Sequence, residues 1–397
     1  MSFENPSQII QSWGLASSFA NGPITKDNLV PATYGKVRTT FVQTWREENV
    51  GTNLDWANPQ PFSYYLPESL RVISSMFLQI KCPAISGNNF KPYAGLYAVR
   101  SIRILSAGQE VYTCDMQAFL RDYCESLSDE ELESFGRIYL GHTTPSDSAR
   151  TFLIPIPLAN SAYLQRNGHN VRGGGIWPCF TGQNRLEIQV SLNASKYVST
   201  GEAVPASIAG VCSMLMHQVD MTAADLLRYA DLRGSYALIG RRFTELTSGY
   251  QTVEANTPVI FAHHQPVGCV TEIFVSAVAT GTEEALRDVR EQVLPTKFKI
   301  VADSVTQKDL NTPEKVQMEL YSNGFTQNSA FHNCGRLCFA SHAADSTHVY
   351  SGGYNMQGAS TVNFELEFPS GVDFRLYAVQ LQRTSIDSLG RIRASMD

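Results

Sequence analysis

Cys334, Cys338, His342 and His348 stand close together and carry the donor atoms of a zinc site. Their spacing, Cys-x3-Cys-x3-His-x5-His, lacks the tight Cys pair and the separate His pair of a zinc finger. Alternate residues Cys334, Arg336, Cys338 and Ala340 would share one face of a strand. The run is read as packed strand cysteines, with zinc binding as the alternative, and no metal or cofactor is assigned. His263-His264 would point to opposite faces of a strand and so could not share one ion. The acidic group Asp129, Glu130, Glu131 and Glu133 has the periodicity of a solvated helix face rather than of an acid/base pair. Gly173-Gly174-Gly175 lacks the GxxxxGK[ST] frame of a phosphate loop, and no GxSxG elbow exists. No catalytic residue is assigned, and the chain is expected not to be an enzyme.

The elements around these residues are mostly strands. Tyr97–Gly141 is the most distinctive stretch. Val99, Ile102 and Ile104 open a β-rich run, Ala107-Gly108 is a hairpin turn, and Glu110–Thr113 leads back. Met116, Phe119, Leu120, Tyr123, Leu127 and Leu132 then follow helical spacing and predict a helix over the open end of a first sandwich. Other strand candidates in the first half are Val37–Val42, Phe62–Leu66, Leu70–Lys81, Thr151–Ile156, Arg185–Leu192 and Ile208–Val219. The second half offers Tyr236–Arg242, Thr244–Val253, Val259–Ala262, Val270–Ala279, Phe298–Ala302, Val316–Tyr321, Leu337–Ser341, Thr361–Phe368 and Phe374–Leu381. About eight short strands per half, separated by turn signals, are the mark of sandwiches and jelly rolls. The predicted division is an arm over 1–36, a first β domain over 37–219, a connector helix over 220–235, a second β domain over 236–383 and a tail over 384–397. No residue-level repeat joins the halves, so any duplication is one of architecture.

The arm is too apolar for a solvated tail, with Ile9, Ile10, Trp13, Leu15 and Phe19. It either packs as an extension or docks on a neighbour. The 397 residues carry a net charge of −6, which argues against a primary nucleic-acid binder, because phosphate binding needs a basic face. Eight scattered cysteines and an N-terminus without a basic start and apolar run point to reduced, buried thiols in a protein made in the cytosol. No stretch approaches the roughly 20 apolar residues of a membrane span.

Several stretches, in order, resemble one family. VRSIRILSAGQEVYTCDMQAFLRDY resembles the strand–Gly–strand–helix unit of double jelly-roll viral major capsid proteins, the lineage of adenovirus and the nucleocytoplasmic large DNA viruses. Phe62–Pro67 with Leu78–Ile80, FLIPIPLANSAYLQRNG, NRLEIQVSL, CSMLMHQVDMTAADLLRYADL, HHQPVGCVTEIFVSAV and LCFASHAADSTHVYSGGYNMQGASTVNFEL are similar to later segments of that family. The chain departs from it in lacking the signature Trp and Phe of the long strand, and in Ser351-Gly352-Gly353 replacing Pro-Ser-Gly. The resemblance implies an all-β fold of two tandem eight-stranded antiparallel jelly rolls with short helices in loops. It also implies a compact member that forms homotrimeric pseudo-hexagonal capsomers tiling an icosahedral shell of the virion. The implied partners are neighbouring capsomers, penton and minor capsid proteins, and a lipid membrane beneath the shell, with no sequence-specific nucleic acid. Two rival readings are a minor or vertex capsid component and a carbohydrate-binding β-sandwich. The latter would use Trp13, Trp45, Trp56 and Trp177 as stacking faces.

Overall fold

The structure is a computed structural model that describes residues 42–66, 71–125, 127–157, 177–178, 185–201, 209–220, 237–263, 269–281, 283–323, 328–331, 335–339, 354–356, 359–386 and 392–396. The expected arm over 1–36, the triple glycine and nearly all of the connector helix lie outside them. The chain divides into two compact units. The first is built mainly from residues up to 116, 135–241 and 382–395. The second is built from 117–134 and 242–381.

The strands of the first unit are β1 (Val42–Asp55), β2 (Phe62–Tyr65), β3 (Arg71–Cys82), β4 (Val99–Ser106), β5 (Gln109–Asp115), β6 (Arg150–Pro155), β7 (Trp177–Pro178), β8 (Leu186–Leu192) and β9 (Ala209–Asp220). They form two antiparallel sheets, ordered β1-β9-β3-β6, with β7 beside β3, and β2-β8-β4-β5. Sequence-distant strands alternate between the two sheets, which is the winding of a jelly roll. β8 shows why the sheets stack: Leu186, Ile188, Val190 and Leu192 are buried and the residues between them are not. Leu78, Ile80, Met214 and Phe152 supply buried apolar side chains from the other sheet.

The second unit contains the end of β10 (Ala237–Glu245), all of β11 (Gln251–Val253), β12 (Val259–His263), β13 (Cys269–Ala279), β14 (Lys297–Ala302), β15 (Val305–Leu310), β16 (Arg336–Cys338), β17 (Tyr354–Asn355) and β18 (Val362–Glu367), and most of β19 (Val372–Ile386). β20 (Ile392–Met396) pairs with β19. The sheet orders, β10-β19-β13-β16 and β12-β18-β14-β15, repeat those of the first unit strand for strand. The core lies between them and includes Ile273, Val275, Phe298, Ile300, Phe364, Leu366 and Leu376.

The two units also share their hairpins. β4 and β5 turn through Ala107 (φ 51°) and Gly108 (φ 76°), and β14 and β15 through Asp303 (φ 47°) and Ser304 (φ 69°). Positive φ at both central residues is the type I′ geometry that matches strand twist. The first turn was legible from its glycine. The second was not, and β15, which is polar and largely exposed, was not anticipated.

Helices interrupt both units at the same point in the winding. α1 (Met116–Glu125) and α2 (Asp129–Ile138) lie between β5 and β6, and α3 (Pro313–Ser322) lies between β15 and β16. α3 corrects the expected strand over Val316–Tyr321. Thr312 accepts the Lys315 N–H as an N-cap, Pro313 occupies the first turn, and Val316 and Leu320 are buried one turn apart. Strand β1 was also missed, because its sequence is largely polar, and the stretch expected as a tail, 384–397, holds the end of β19 and β20. No helix among the described residues is long and apolar enough to cross a membrane.

Candidate functional site

The densest chemistry among the described residues lies in the second unit, on the face of sheet β10-β19-β13-β16 that points away from its core. Along β13, Ile273 and Val275 face the core, so Glu272 and Phe274 face outward. Across from them on β16 stand Cys338 and Arg336. Helix α1 supplies the third side. Its residues from 117 onward belong to the second unit, so the helix does not close the first sandwich as its sequence suggested.

Arg336 is the centre of this cluster and is fully buried. Its Nη1 donates to Asp122 Oδ1 at 2.7 Å and to Glu272 Oε2 at 2.9 Å. Its Nε donates to Glu125 Oε2 at 3.1 Å, and Nη2 bonds the same oxygen. Arg121 Nε donates to Glu125 Oε1 at 2.8 Å, one helical turn away. The Arg336 guanidinium also lies over the Phe274 ring, 4.7 Å from its centroid. Phe274 stacks on Tyr377 at 4.9 Å and meets Phe243 edge-on, and Phe243 meets Phe119 of α1. Ionised groups removed from water need partners of this geometry, or they would cost several kcal/mol each. Cys124, next to Glu125, has its thiol pKa pushed well up, by burial first and then by the Glu125 and Asp122 carboxylates. It is therefore a packed thiol rather than a nucleophile.

The same outward face continues along β19. Asp373 takes a hydrogen bond from Thr252 Oγ1 at 2.6 Å and an ion pair from Arg287. Arg375 Nη2 donates to Glu284 at 2.9 Å. The Arg287 and Arg375 guanidiniums both lie over the Tyr250 ring, at 4.1 and 4.0 Å from its centroid. Carboxylates on this face are engaged by guanidinium, and what the arrangement does is fasten loops and a helix to a sheet.

The residues singled out from the sequence are not brought together. Of the four zinc-type donors, only Cys338 is described. It is a buried thiol on β16, while Cys334, His342 and His348 lie outside the described residues, as does His264. Among the described residues no group of three or more His, Cys, Asp or Glu is placed to hold a metal ion. Asp129, Glu130, Glu131 and Glu133 occupy the exposed face of α2, with Leu132 buried behind them. Asp129 Oδ1 accepts from the Ser329 amide and hydroxyl, which fixes that helix start. Trp56 is buried and donates its Nε1–H to the Asn193 carbonyl at 2.7 Å, so it offers no stacking face to a sugar. Arg336 was noted in the sequence only as a member of an alternating strand. The usable signal was an arginine inside an apolar β run, Arg336-Leu337-Cys338-Phe339, since a charge there must find a buried partner.

No protein-family model and no curated protein matches the chain. Solved structures do. The chain is similar to VP54 of PBCV-1, with a TM-score of 0.67 and 10% identity over 91% of this chain and 98% of that one. It is similar to the Faustovirus major capsid protein, with a TM-score of 0.62 and 9% identity over 91% and 93%. It is also similar to the mavirus major capsid protein, with a TM-score of 0.56 and 10% identity over 95% and 94%. The fold is a double jelly roll shared with viral major capsid proteins.

Proposed function

We propose that the protein is a structural subunit of an icosahedral viral capsid, a major capsid protein rather than an enzyme. The observation that carries this is the extent of the fold match: the likeness to VP54 runs over 91% of this chain and 98% of that one, and so takes in residues of both jelly rolls. Three chains, each with two sandwiches of the same strand order, place six similar bodies around one axis. A trimer then presents a nearly hexagonal outline that tiles a shell. Its partners are two further copies in the capsomer, neighbouring capsomers, and the penton and minor proteins that close the shell, with a lipid membrane beneath it. Its place is the virion. Burial repeated by symmetry supplies the binding energy, and no catalytic group or cofactor is required. The net charge of −6 fits a shell that does not read nucleic-acid sequence.

Sedimentation equilibrium at micromolar concentration tests this reading. A species of three chains, or a larger assembly built from it, is the expected result, and a strict monomer overturns it.

A further inference from the structure

The sheet β1-β9-β3-β6 has an outward face equivalent to the one that α1 covers in the second unit. Glu47 and Lys81 mark it, paired at 2.9 Å, and Ser213 donates to both Glu47 and Gln79 beside them. The other half of the face is aromatic. Trp45 on β1 lies 6.2 Å from Phe77 on β3, and Phe77 stacks on Tyr139 at 5.4 Å. Tyr139 in turn lies 5.0 Å from Phe135. Phe77 is buried by these rings, but Trp45 is 57% exposed, and Ile138 next to Tyr139 is 54% exposed. A solvated sheet face carries polar side chains, as the β2-β8-β4-β5 sheet does with Ser63, Glu187, Gln189 and Arg103. An indole exposed on an aromatic row is a surface shaped for cover.

We propose that the amino-terminal segment, residues 1–41, docks on this face and covers Trp45 beside the Phe77–Tyr139 stack. The segment enters the sheet at Val42, three residues before Trp45, so it starts at the edge of the face it would cover. It carries Ile9, Ile10, Trp13, Leu15 and Phe19, and its charged residues are only Glu4, Lys26, Asp27, Lys36 and Arg38. At roughly 3.3 Å per extended residue, the chain between Phe19 and Val42 reaches far beyond four strands spaced about 4.8 Å apart. β1 is also an edge strand of 14 residues, and an edge of that length is normally covered. The proposal stands whether or not the chain builds a capsid, and its occupant is the segment of the same chain, which its junction with β1 at Val42 holds beside the face.

The test replaces Trp45 in the full chain with the photoreactive p-benzoylphenylalanine, irradiates, and maps the cross-linked peptide by mass spectrometry. A cross-link to a peptide within residues 1–41 is expected. The product is expected at the mass of one chain, and a product of two joined chains overturns the proposal. Cross-linking to any other part of the protein overturns the proposal. A second readout guards against an unreactive probe, namely hydroxyl-radical oxidation of Trp45 in the full chain and in a variant lacking residues 1–36. Deletion is expected to raise Trp45 oxidation several-fold while leaving exposed Tyr65 and buried Trp56 unchanged. Equal Trp45 oxidation in the two proteins overturns the proposal. Neither readout depends on oligomeric state, so a monomer would sink the capsid reading without deciding this one.

Discussion

The sheets β1-β9-β3-β6 and β10-β19-β13-β16 have the same strand order but different outward faces. In the second unit the face is sealed. Arg336 and Phe274 lie under α1, and two guanidiniums lie over the Tyr250 ring. In the first unit Trp45, Glu47 and Lys81 face water. The connections from β5 to β6 and from β15 to β16 differ in the same way. α3 buries Val316 in the core of its own sandwich and Leu320 against Cys338, and is tied to strands on either side of it. Glu319 accepts the Cys338 amide at 2.9 Å and pairs with Lys308, which donates to the Cys338 carbonyl at 2.6 Å. α1, which follows β5 as α3 follows β15, belongs from residue 117 onward to the second unit and sets Phe119, Asp122 and Glu125 against the outward face of that unit's sheet. Topology repeats because alternating apolar residues force two stacked sheets, whereas the fate of each outer face depends on a few residues that the alternation does not constrain.

The contrast can be broken most strongly at Arg336. Arg336→Met leaves Asp122, Glu125 and Glu272 without their central cation, and is expected to destabilise by about 3–5 kcal/mol, read as a lowered urea midpoint. Lys81→Met on the open face removes a pair that is nearly half exposed, and is expected to cost about 0–1 kcal/mol in the same assay. Similar losses for the two variants would show that the sealed and open faces do not differ energetically.

The helix comparison sharpens at α3. Leu320→Ala removes a buried side chain, with an expected loss of about 2–5 kcal/mol, whereas Met318→Ala, on the exposed side, is expected to stay within about 0.5 kcal/mol. Thermal unfolding separates them, and equal shifts would deny the helix its seat. Among the turns, Ser304→Gly relieves a left-handed backbone that Gly108 already accommodates in the matching hairpin, and is expected to stabilise by about 0.5–1 kcal/mol. Asp303 is better left in place, since its carboxylate accepts the Ser360 and Thr361 amides. A melting temperature that falls would show that the two turns are not equivalent.

The smallest effect is acid sensitivity of the open faces. Hydrogen bonds from Lys81 and then Ser213 hold the Glu47 carboxyl below its ordinary value of 4.5, and bonds from Ser63 and then Gln189 do the same for Glu187. Because the folded-state pKa is the lower one, their contribution is complete above the ordinary value and disappears as pH falls through the folded value. Glu47→Gln is therefore expected to lower stability slightly near neutrality and to flatten the loss of stability below pH 4.5, so that the two proteins converge in acid. An unchanged slope in acid would mean that these bonds carry no stability.

Much of the fold was legible because it rests on alternation. β3, β8, β13, β14, β18 and β19 were anticipated from apolar residues in β-rich runs, and the first hairpin from Ala107-Gly108. β1 and β15 were missed because edge strands carry polar residues on exposed positions and so lose the signal. α3 was misread as a strand although Thr312-Pro313-Glu314 is a helix start, since Val316–Tyr321 has enough apolar residues to suit either period. The Arg336 cluster was not legible as such. Its carboxylates come from two segments far apart in sequence, and no local pattern announces that Asp122 and Glu272 share a guanidinium.

The proposed capsid role is tested most directly by electron micrographs of the purified protein. Class averages should show three-fold particles with six lobes around the rim, two from each chain. Uniform single-chain particles at the same concentration would contradict the role.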